Sequence, residues 1–588
     1  MIVTDISEIH AFVAKSSTET NAGSRRFLDL DFDKLRGGYY TDLNLSEWMT
    51  KWAVRKKNDV VLEQSCGDGS FLEAVVSRLA DLGASPAEIA KSLVGVEIIP
   101  SEVISARNRI RGRLGSRADA VVNEGDFFDW WQQPKRKLFD VVVGNPPFIR
   151  YQTFPEPHRS RAMAIMTQLG MKPNRLTNIW VPFVAAAAAS LKPGGRMALV
   201  LPAELLQVTY ASQLRSFLTD HFDRIDIVAC NQLFFDKAQQ EVVLLLAEGA
   251  SAKPSASHVC RVSLTETATV CDITSRSPAD VLAKAEPKTI RHDSEKWLKY
   301  FLTGREIALM RELRESRAVS PLSVHASVDV GVVTGKNEFF VLSSDQVREN
   351  GLEAYTVPIV SRSVQMRGAI INAEEWGELA AAGNNRVHLL HLAPINGSKP
   401  KKSLASYISK GEEADFHTGY KCSIRTPWYA VPSVWIPDGL MFRQIYDFPR
   451  VVLNHAGATA TDTIHRLRSS VPAKILIPQL YTHLTGASAE IEGRSYGGGV
   501  LELEPTEAER ILVPSQLQNA LPIEEIDRLV RLGKLDLVLE ENDRLVLMDG
   551  IGLTKAECHE LHGIWTKMRD RRMSRKRGKK ATKSEIIS

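Results

Sequence analysis

The sequence contains no CxxC pair. Its six cysteines, Cys66, Cys230, Cys260, Cys271, Cys422 and Cys558, are scattered over 588 residues. That spacing points to neither a zinc site nor a disulfide framework, so no metal is expected and a reducing cytoplasm is the expected compartment. Long apolar runs are missing as well. Ala185 to Ala189 falls far short of a membrane span and stands beside the turn Lys192-Pro193-Gly194-Gly195, so no contact with a membrane is expected. The N-terminus lacks the basic-then-apolar order of a secretory signal. No charge of one sign dominates: the net charge is +4, so any surface for nucleic acid must be local. No internal repeat is found. Hydrophobic residues make up 44% and charged residues 24%, values ordinary for a globular chain long enough for about two to four domains.

The chain is organised around Phe139-Asp140-Val141-Val142-Val143-Gly144-Asn145-Pro146-Pro147-Phe148. The β-branched run is expected to form a buried parallel strand. Gly144 then frees the backbone and two prolines fix it. The loop presents the Asn145 amide, the Pro146 carbonyl and the Phe148 ring. An amide oxygen and a carbonyl can accept both hydrogens of one planar NH2 group, while a ring stacks on the base that carries it. The alternative is an ordinary strand ending in a Pro-rich turn.

Three strand-and-turn units precede this loop. Asp59 to Glu63 reads as a strand, Gln64-Ser65-Cys66-Gly67-Asp68-Gly69-Ser70 as a glycine-rich turn, and Phe71 to Leu82 as a helix. Two glycines at i and i+2 let a backbone pass close to a ligand at a helix N-terminus. Position 72 is Leu, so this is not the dinucleotide GxGxxG. Leu93 to Glu97 ends a second strand in an acid that can accept both hydroxyls of a ribose. Ala120 to Asn123, followed by Gly125-Asp126-Phe127-Phe128, puts an acid and aromatics at a third strand end, suited to an adenine amine and its ring. Each acid alone reads more readily as an ordinary loop charge than as a ligand contact. Polar groups at four successive strand ends of an alternating β/α chain share one crevice.

The alternation continues through helices at Leu45–Val54 and Thr177–Ser190 and strands at Arg196–Leu201, Ile225–Ala229 and Glu241–Ala247. The loop Asn231 to Lys237 carries Phe234 and Phe235, either exposed near the sheet's end or packed beneath it. Residues 1–36 read as an N-terminal extension, 37–250 as the α/β domain, and 251–319 as a linker with a connector helix. Residues 320–515 read as a β-rich domain, and 516–588 as a helical region with a basic tail. Basic and aromatic residues interleave in the fourth segment: Arg362, Arg367, Tyr420, Lys421, Arg425, Trp428, Tyr429, Trp435, Arg443, Arg450, His455, Arg466 and Arg468. Phosphate and base-edge contacts are expected there, with a solvated basic surface as the alternative. From Lys567 to Lys583 the tail holds ten Lys/Arg against one acid, a composition suited to non-specific nucleic-acid contact.

These residues resemble a known family. Residues 37–250 look like a class I S-adenosylmethionine-dependent methyltransferase. The Asn145-Pro146-Pro147-Phe148 motif is similar to that of enzymes methylating adenine N6 in DNA. The motif order, from Tyr40-Thr41 through Gly67-Asp68-Gly69, Glu97, Asp126-Phe127 and the Asn145 loop to Phe235, resembles the gamma-class, TaqI-like modification enzymes of type II restriction–modification systems. The segments VTGKNEFFVL, VVLNH and GRSYGGGVLELEP look like the recognition half of longer members. The resemblance covers about residues 37 to 570. It departs from the pattern at Asp68 between the glycines and at Phe148, where a Tyr is also found.

The resemblance implies an α/β fold, a class I methyltransferase Rossmann-like sheet, followed by a mixed, β-rich α+β DNA-recognition domain and a helical C-terminus. It implies S-adenosyl-L-methionine as cofactor, held by Thr41, Glu63, Cys66, Gly67, Gly69, Glu97, Ile98, Asp126, Phe127 and Asn145. It implies Asn145, Pro146, Pro147, Phe148 and Phe235 as the catalytic set around a flipped adenine. The expected partner is double-stranded DNA, the expected state a monomer in a bacterial or phage-infected cytoplasm, and a cognate restriction endonuclease acts separately. Similar loops serve enzymes that methylate RNA guanine amines or a protein glutamine amide, and a fused restriction nuclease is a further alternative. No acid-acid-lysine nuclease cluster is evident and residues 1–36 are short for a nuclease, so modification alone is expected.

Overall fold

The computed structural model describes residues 41–577, apart from 135–136, 232–233, 235–240, 287, 289, 293–294, 393–401, 497 and 518. The expected N-terminal extension, Phe235 and the end of the basic tail lie outside the described residues. The chain divides into two units, Met1–Phe301 and Leu302–Ser588.

The first unit is built on an eight-stranded sheet, β1 (Val61–Glu63), β2 (Leu93–Glu97), β3 (Val122–Glu124), β4 (Phe139–Gly144), β5 (Leu191–Pro202), β6 (Phe222–Cys230), β7 (Val242–Ala250) and β8 (Arg261–Thr267). Their spatial order is β3-β2-β1-β4-β5-β7-β6-β8. Strands β3 to β5 in that order run parallel, and β7 is antiparallel to both β5 and β6. Strand order reverses between β1 and β4, and a crevice opens beyond the carboxyl ends of the strands at such a switch point. Val141, Val142 and Val143 of β4 are fully buried, and each such side chain contributes about 1.5–3 kcal/mol.

Helices fall where the sequence periodicity puts them. Helix α1 (Leu43–Ala53) is capped by Asp42, whose side chain accepts from Asn44 N, and it buries Leu45, Trp48, Met49 and Trp52. Helix α2 (Ser70–Asp81) follows the glycine-rich turn, and α3 (Pro100–Leu114) follows β2. Further on come α4 (Phe127–Trp131), α5 (His158–Gln168) and α6 (Trp180–Ala188). The third strand begins two residues later than expected, because Ala118–Val121 is helical. The Lys192 to Gly195 turn lies within β5, and the register against β4 shifts there.

The expected linker 251–319 gives way to two parts. Strand β8 pairs parallel with β6, and Ile273, Val281 and Leu282 join the hydrophobic core of the first unit. The sheet therefore extends past residue 250. Thr303 and Glu306 form a reciprocal capping box that starts the helix Gly304–Glu315, the expected connector, at the head of the second unit.

The second unit is mixed and rich in short strands. One sheet orders Ala326–Val330, Ile464–Ser469, Gly439–Phe442, Val451–His455 and Ile370–Asn372, and another orders Val341–Ser343, Arg386–Leu390, Thr356–Val360 and Thr459–Ala460. Helices Ile523–Arg531, Leu535–Asn542 and Lys555–Arg577 close it. The last helix is not a solvated basic tail over its described length. Leu561, Ile564 and Trp565 are buried, Lys567 pairs with Glu306, and Arg569 pairs with Asp447. Arg572 is 2% exposed and ion-paired to Glu490. Three of the ten basic residues counted in the sequence are thus committed to the unit itself. No helix of the described residues is long and apolar enough to cross a membrane.

Candidate active site

The turn after β1 is held by its own backbone and by β2. Gly69 N donates to Cys66 O at 2.8 Å, and Cys66 N donates to Val96 O at 3.0 Å. Gly69 caps α2 with φ +88°, and a Cβ there would lie 2.8 Å from Ala106 Cα in α3. Its missing side chain is used up by the neighbouring helix, and Gly69 is not part of the cleft wall. Gly69→Ala is expected to destabilise the first unit by roughly 2–4 kcal/mol, read as a lowered denaturant midpoint, because left-handed strain and overpacking add.

Glu97 joins the three strand ends. Its carboxylate accepts from Gly67 N and Ile99 N, both at 2.9 Å, and its carbonyl accepts from Gly125 N at 2.8 Å. Burial raises its pKa above 4.5 against the pull of those backbone N–H groups. Glu63 beside it is pushed well above that range, first by burial and then by Asp68 and Glu97. Burial also pushes the Cys66 thiol up, with Glu63 and Glu97 adding to it, which makes that sulfur a packing atom rather than a nucleophile. A carboxyl whose folded pKa is raised holds its proton more tightly in the folded chain, so it favours folding less as pH rises through that value. Cofactor binding runs the other way if the Glu97 carboxylate accepts ribose hydroxyls. Affinity for S-adenosylhomocysteine is expected to fall as pH drops through the raised titration range of that carboxyl. In Glu97→Ala it should be lower by about 2–3 kcal/mol at pH 7.5 and lose that pH dependence in calorimetry.

At the third strand end, Asp126 caps α4 by accepting from Phe128 N at 2.9 Å. Its other oxygen lies 2.7 Å from His158 Nδ1 and 3.5 Å from Arg161. Phe127 stacks on Phe183 with ring centres 5.3 Å apart and 15° between planes. His158, Arg161 and Phe183 were not expected from the sequence. They come from α5 and α6, and no spacing ties them to Asp126.

Asn145 stands at the end of β4, half-buried. Gly144 turns the chain there with φ +151°, and a Cβ would meet Glu63 Cγ at 3.5 Å. The Asn145 side-chain Nδ2 donates to Thr41 Oγ1 at 3.3 Å, and Ser65 Oγ donates to the Asn145 carbonyl at 3.3 Å. Thr41 is 6% exposed, and its own carbonyl accepts from Ser70 Oγ at 2.8 Å. The hydrogen bond to Thr41 sets the donor end of the amide toward the start of α1.

A cleft of about 180 Å3 runs past all four strand ends. It brings together Thr41, Glu63, Cys66, Gly67, Glu97, Ile98, Asp126, Phe127, Asn145 and Pro147 of the expected set. Gln64, Ser65, Ile149, Phe154 and Phe183 line it too. Pro146 and Phe148 are outside the lining. Phe148 is half-buried against the core cluster that contains Leu45 and Trp48. Phe235 lies outside the described residues. Glu63 Oε2 and both amide atoms of Gln64 are buried without a hydrogen-bond partner among the described residues, so the polar end of the cleft has unmet hydrogen-bonding capacity. Ile98, 39% exposed, and the Phe127 and Phe183 rings give the other end an apolar character. A ligand with an ionic end, a ribose and a flat heterocycle fits that gradient.

In the second unit the basic and aromatic residues separate into two groups. Arg443 is taken up by Glu502 and Glu504, Arg425 by the carbonyls of Val333 and Thr334, and Trp428 by a tilted ring contact with Phe339. Arg466 and Arg468 both lie over the Trp435 ring, at 4.5 and 4.4 Å, and Arg468 is exposed with Tyr420, Lys421, Arg362, Arg367 and His455.

The model of the Eco57I restriction–modification methylase matches residues 91–234, and that of the type II methyltransferase M.Eco57I, C-terminal domain, matches 294–547. Type II methyltransferase M.AccI of Acinetobacter calcoaceticus is 21% identical over 493 residues, covering 82% of this chain and 85% of that protein. M.PaeR7I of Pseudomonas aeruginosa is 26% identical over 353 residues, covering 54% and 58%. Among solved structures, the type IIL restriction–modification enzyme MmeI, in complex with DNA, aligns over 92% of this chain and 73% of its own with a TM-score of 0.51 and 12% identity, a likeness of fold. The two family matches fall in chain order on the strand-end site and on the mixed second unit, so the chain is similar in both units to the type II restriction–modification methyltransferases, and its methyl donor is S-adenosyl-L-methionine.

Proposed function

We propose that the chain methylates N6 of an adenine at a specific site in duplex DNA, in the manner of the gamma-class enzymes. The observation that carries this reading is Asn145, held by Thr41 and Ser65 at the mouth of the cofactor cleft. S-adenosyl-L-methionine supplies an electrophilic methyl when bound. Glu97 accepts from its ribose, Ile98 and Phe127 border its adenine, and Glu63 and Gln64 meet its ionic end. The adenine amine is a weak nucleophile because its lone pair is delocalised into the ring, and inside a duplex it is out of reach. Flipping the base costs a few kcal/mol. The Asn145 amide oxygen and the Pro146 carbonyl then accept its two hydrogens, which localises the lone pair toward the cleft. Positioning and fixed dipoles carry the acceleration, so no strong general base is needed.

The exposed Arg468 and Lys421, with the half-buried Trp435 ring beneath Arg468, support DNA as the partner of the second unit. We take the enzyme to act as a monomer in the bacterial cytoplasm, protecting host DNA from a separate endonuclease. The test incubates the full chain with labelled cofactor and duplex DNA, RNA or a glutamine-bearing protein, then separates the methylated nucleosides. N6-methyladenine at one sequence is expected. Label in RNA, protein or N4-methylcytosine, with no methylated adenine, would overturn the reading.

A further inference from the structure

A second cavity lies wholly within the second unit, where two neighbouring antiparallel strands meet their loops. Chain leaving Thr356–Val360 supplies Ser361 and Arg362, and chain entering Arg386–Leu390 supplies Asn384 and Arg386. No carboxylate lines it, and neither guanidinium makes an ion pair with a described residue. The backbone around it is tied down. Ser361 Oγ donates to Arg386 O at 2.7 Å, and Thr461 Oγ1 donates to Ser361 O at 3.0 Å. Gln365, buried at 8% exposure, spends its amide oxygen on Ser361 N at 2.8 Å and Arg362 N at 3.0 Å, which leaves its NH2 end as the remaining function. Asn337 likewise spends its amide oxygen on the Thr334 hydroxyl. The cavity therefore offers two guanidiniums and amide donors on a preformed floor. That chemistry suits a group that only accepts hydrogen bonds and carries negative charge. Base edges are reached by side chains that project into a groove, whereas a concave receptor takes a group that projects from the duplex, and that group is a phosphate.

We propose that this pocket seats a backbone phosphate of the DNA, a reading that rests on DNA being the substrate. Arg362 and Arg386 provide the charge, and the locked loops fix the recognition unit's register on the duplex.

The test measures DNA binding by fluorescence anisotropy across a salt series, with full-length Arg362→Ala, Arg386→Ala and the corresponding Lys variants. Each Ala variant should bind roughly tenfold more weakly at ~0.1 M salt and lose about 0.9 from the log–log salt slope, on specific and non-specific duplexes alike. Lys should restore part of both. Unchanged melting and unchanged S-adenosylhomocysteine binding establish that the variants fold. Loss confined to the specific duplex would make the arginines base readers and overturn the proposal. So would pyrophosphate binding that disappears in the variants while DNA affinity stays, since the pocket would then serve a free phosphoester. A wild-type chain that binds no DNA would overturn the function itself. Wild-type binding left intact by both substitutions would overturn the phosphate seat alone.

Discussion

Asn145→Ala should abolish methyl transfer while leaving cofactor and DNA affinity within about threefold of wild type. The side chain adds nothing to the apolar end of the cleft, where Ile98, Phe127 and Phe183 sit. Its proposed task is to grip an amine only as that nitrogen leaves planarity, an interaction stronger in the transition state than in the ground state. Removing one preorganised group of this kind costs about 10²–10³ in rate, and the amine then has one acceptor where it needs two. Single-turnover methylation against equilibrium binding separates the two effects. Activity within tenfold of wild type, or an equal loss of DNA binding, would remove Asn145 from that role.

Arg572→Ala should lower the stability of the second unit by about 3–5 kcal/mol, the usual cost of stranding one member of a buried pair. Arg572 and Glu490 are 2% and 4% exposed in their side chains and ion-paired at 2.5 Å. The guanidinium also donates to the carbonyls of Ile445, Tyr446 and Gly499. Burial already raises the Glu490 carboxyl, with Arg572 pulling it down, so losing the cation raises it further. Thermal unfolding followed by calorimetry should show one transition moving down by several degrees. Arg572→Met combined with Glu490→Leu should recover much of the loss, because both charges leave together. A single variant melting with wild type would mean that the last helix is held by Leu561, Ile564 and Trp565 alone.

Much of the first unit was legible because its strands are short, apolar and buried on both faces. Strand β2 and the core of β4 fall where Leu93–Glu97 and Phe139–Val143 put them. Strand β8 escaped because it lies at the sheet's edge with one neighbour, in a Ser- and Thr-rich stretch with no run to mark it. The glycines were legible as a turn but not in their division of labour. A residue's type does not say whether its missing side chain makes room for a ligand or for Ala106. His158 and Arg161 were hidden for a similar reason, since contacts to Asp126 from a later helix leave no local periodicity. The basic tail misled by composition: charge counts cannot distinguish a solvated lysine from one paired with Glu306. Phe148 was read as a stacking ring, and in the structure its side chain lies half-buried against the core cluster.

The bond from Asn145 to Thr41 joins residues 104 apart in sequence. Thr41 also borders the strand-end cleft and is anchored to the first residue of α2. One hydrogen bond thus belongs to two binding equilibria. Whatever free energy a bound cofactor adds to that bond by ordering Thr41 is returned in equal measure when the target amine orders Asn145. Under the proposed function, that bond is where the occupancy of the cofactor and that of the target amine would be linked, by no more than the small change in either affinity expected on losing the Asn145 side chain.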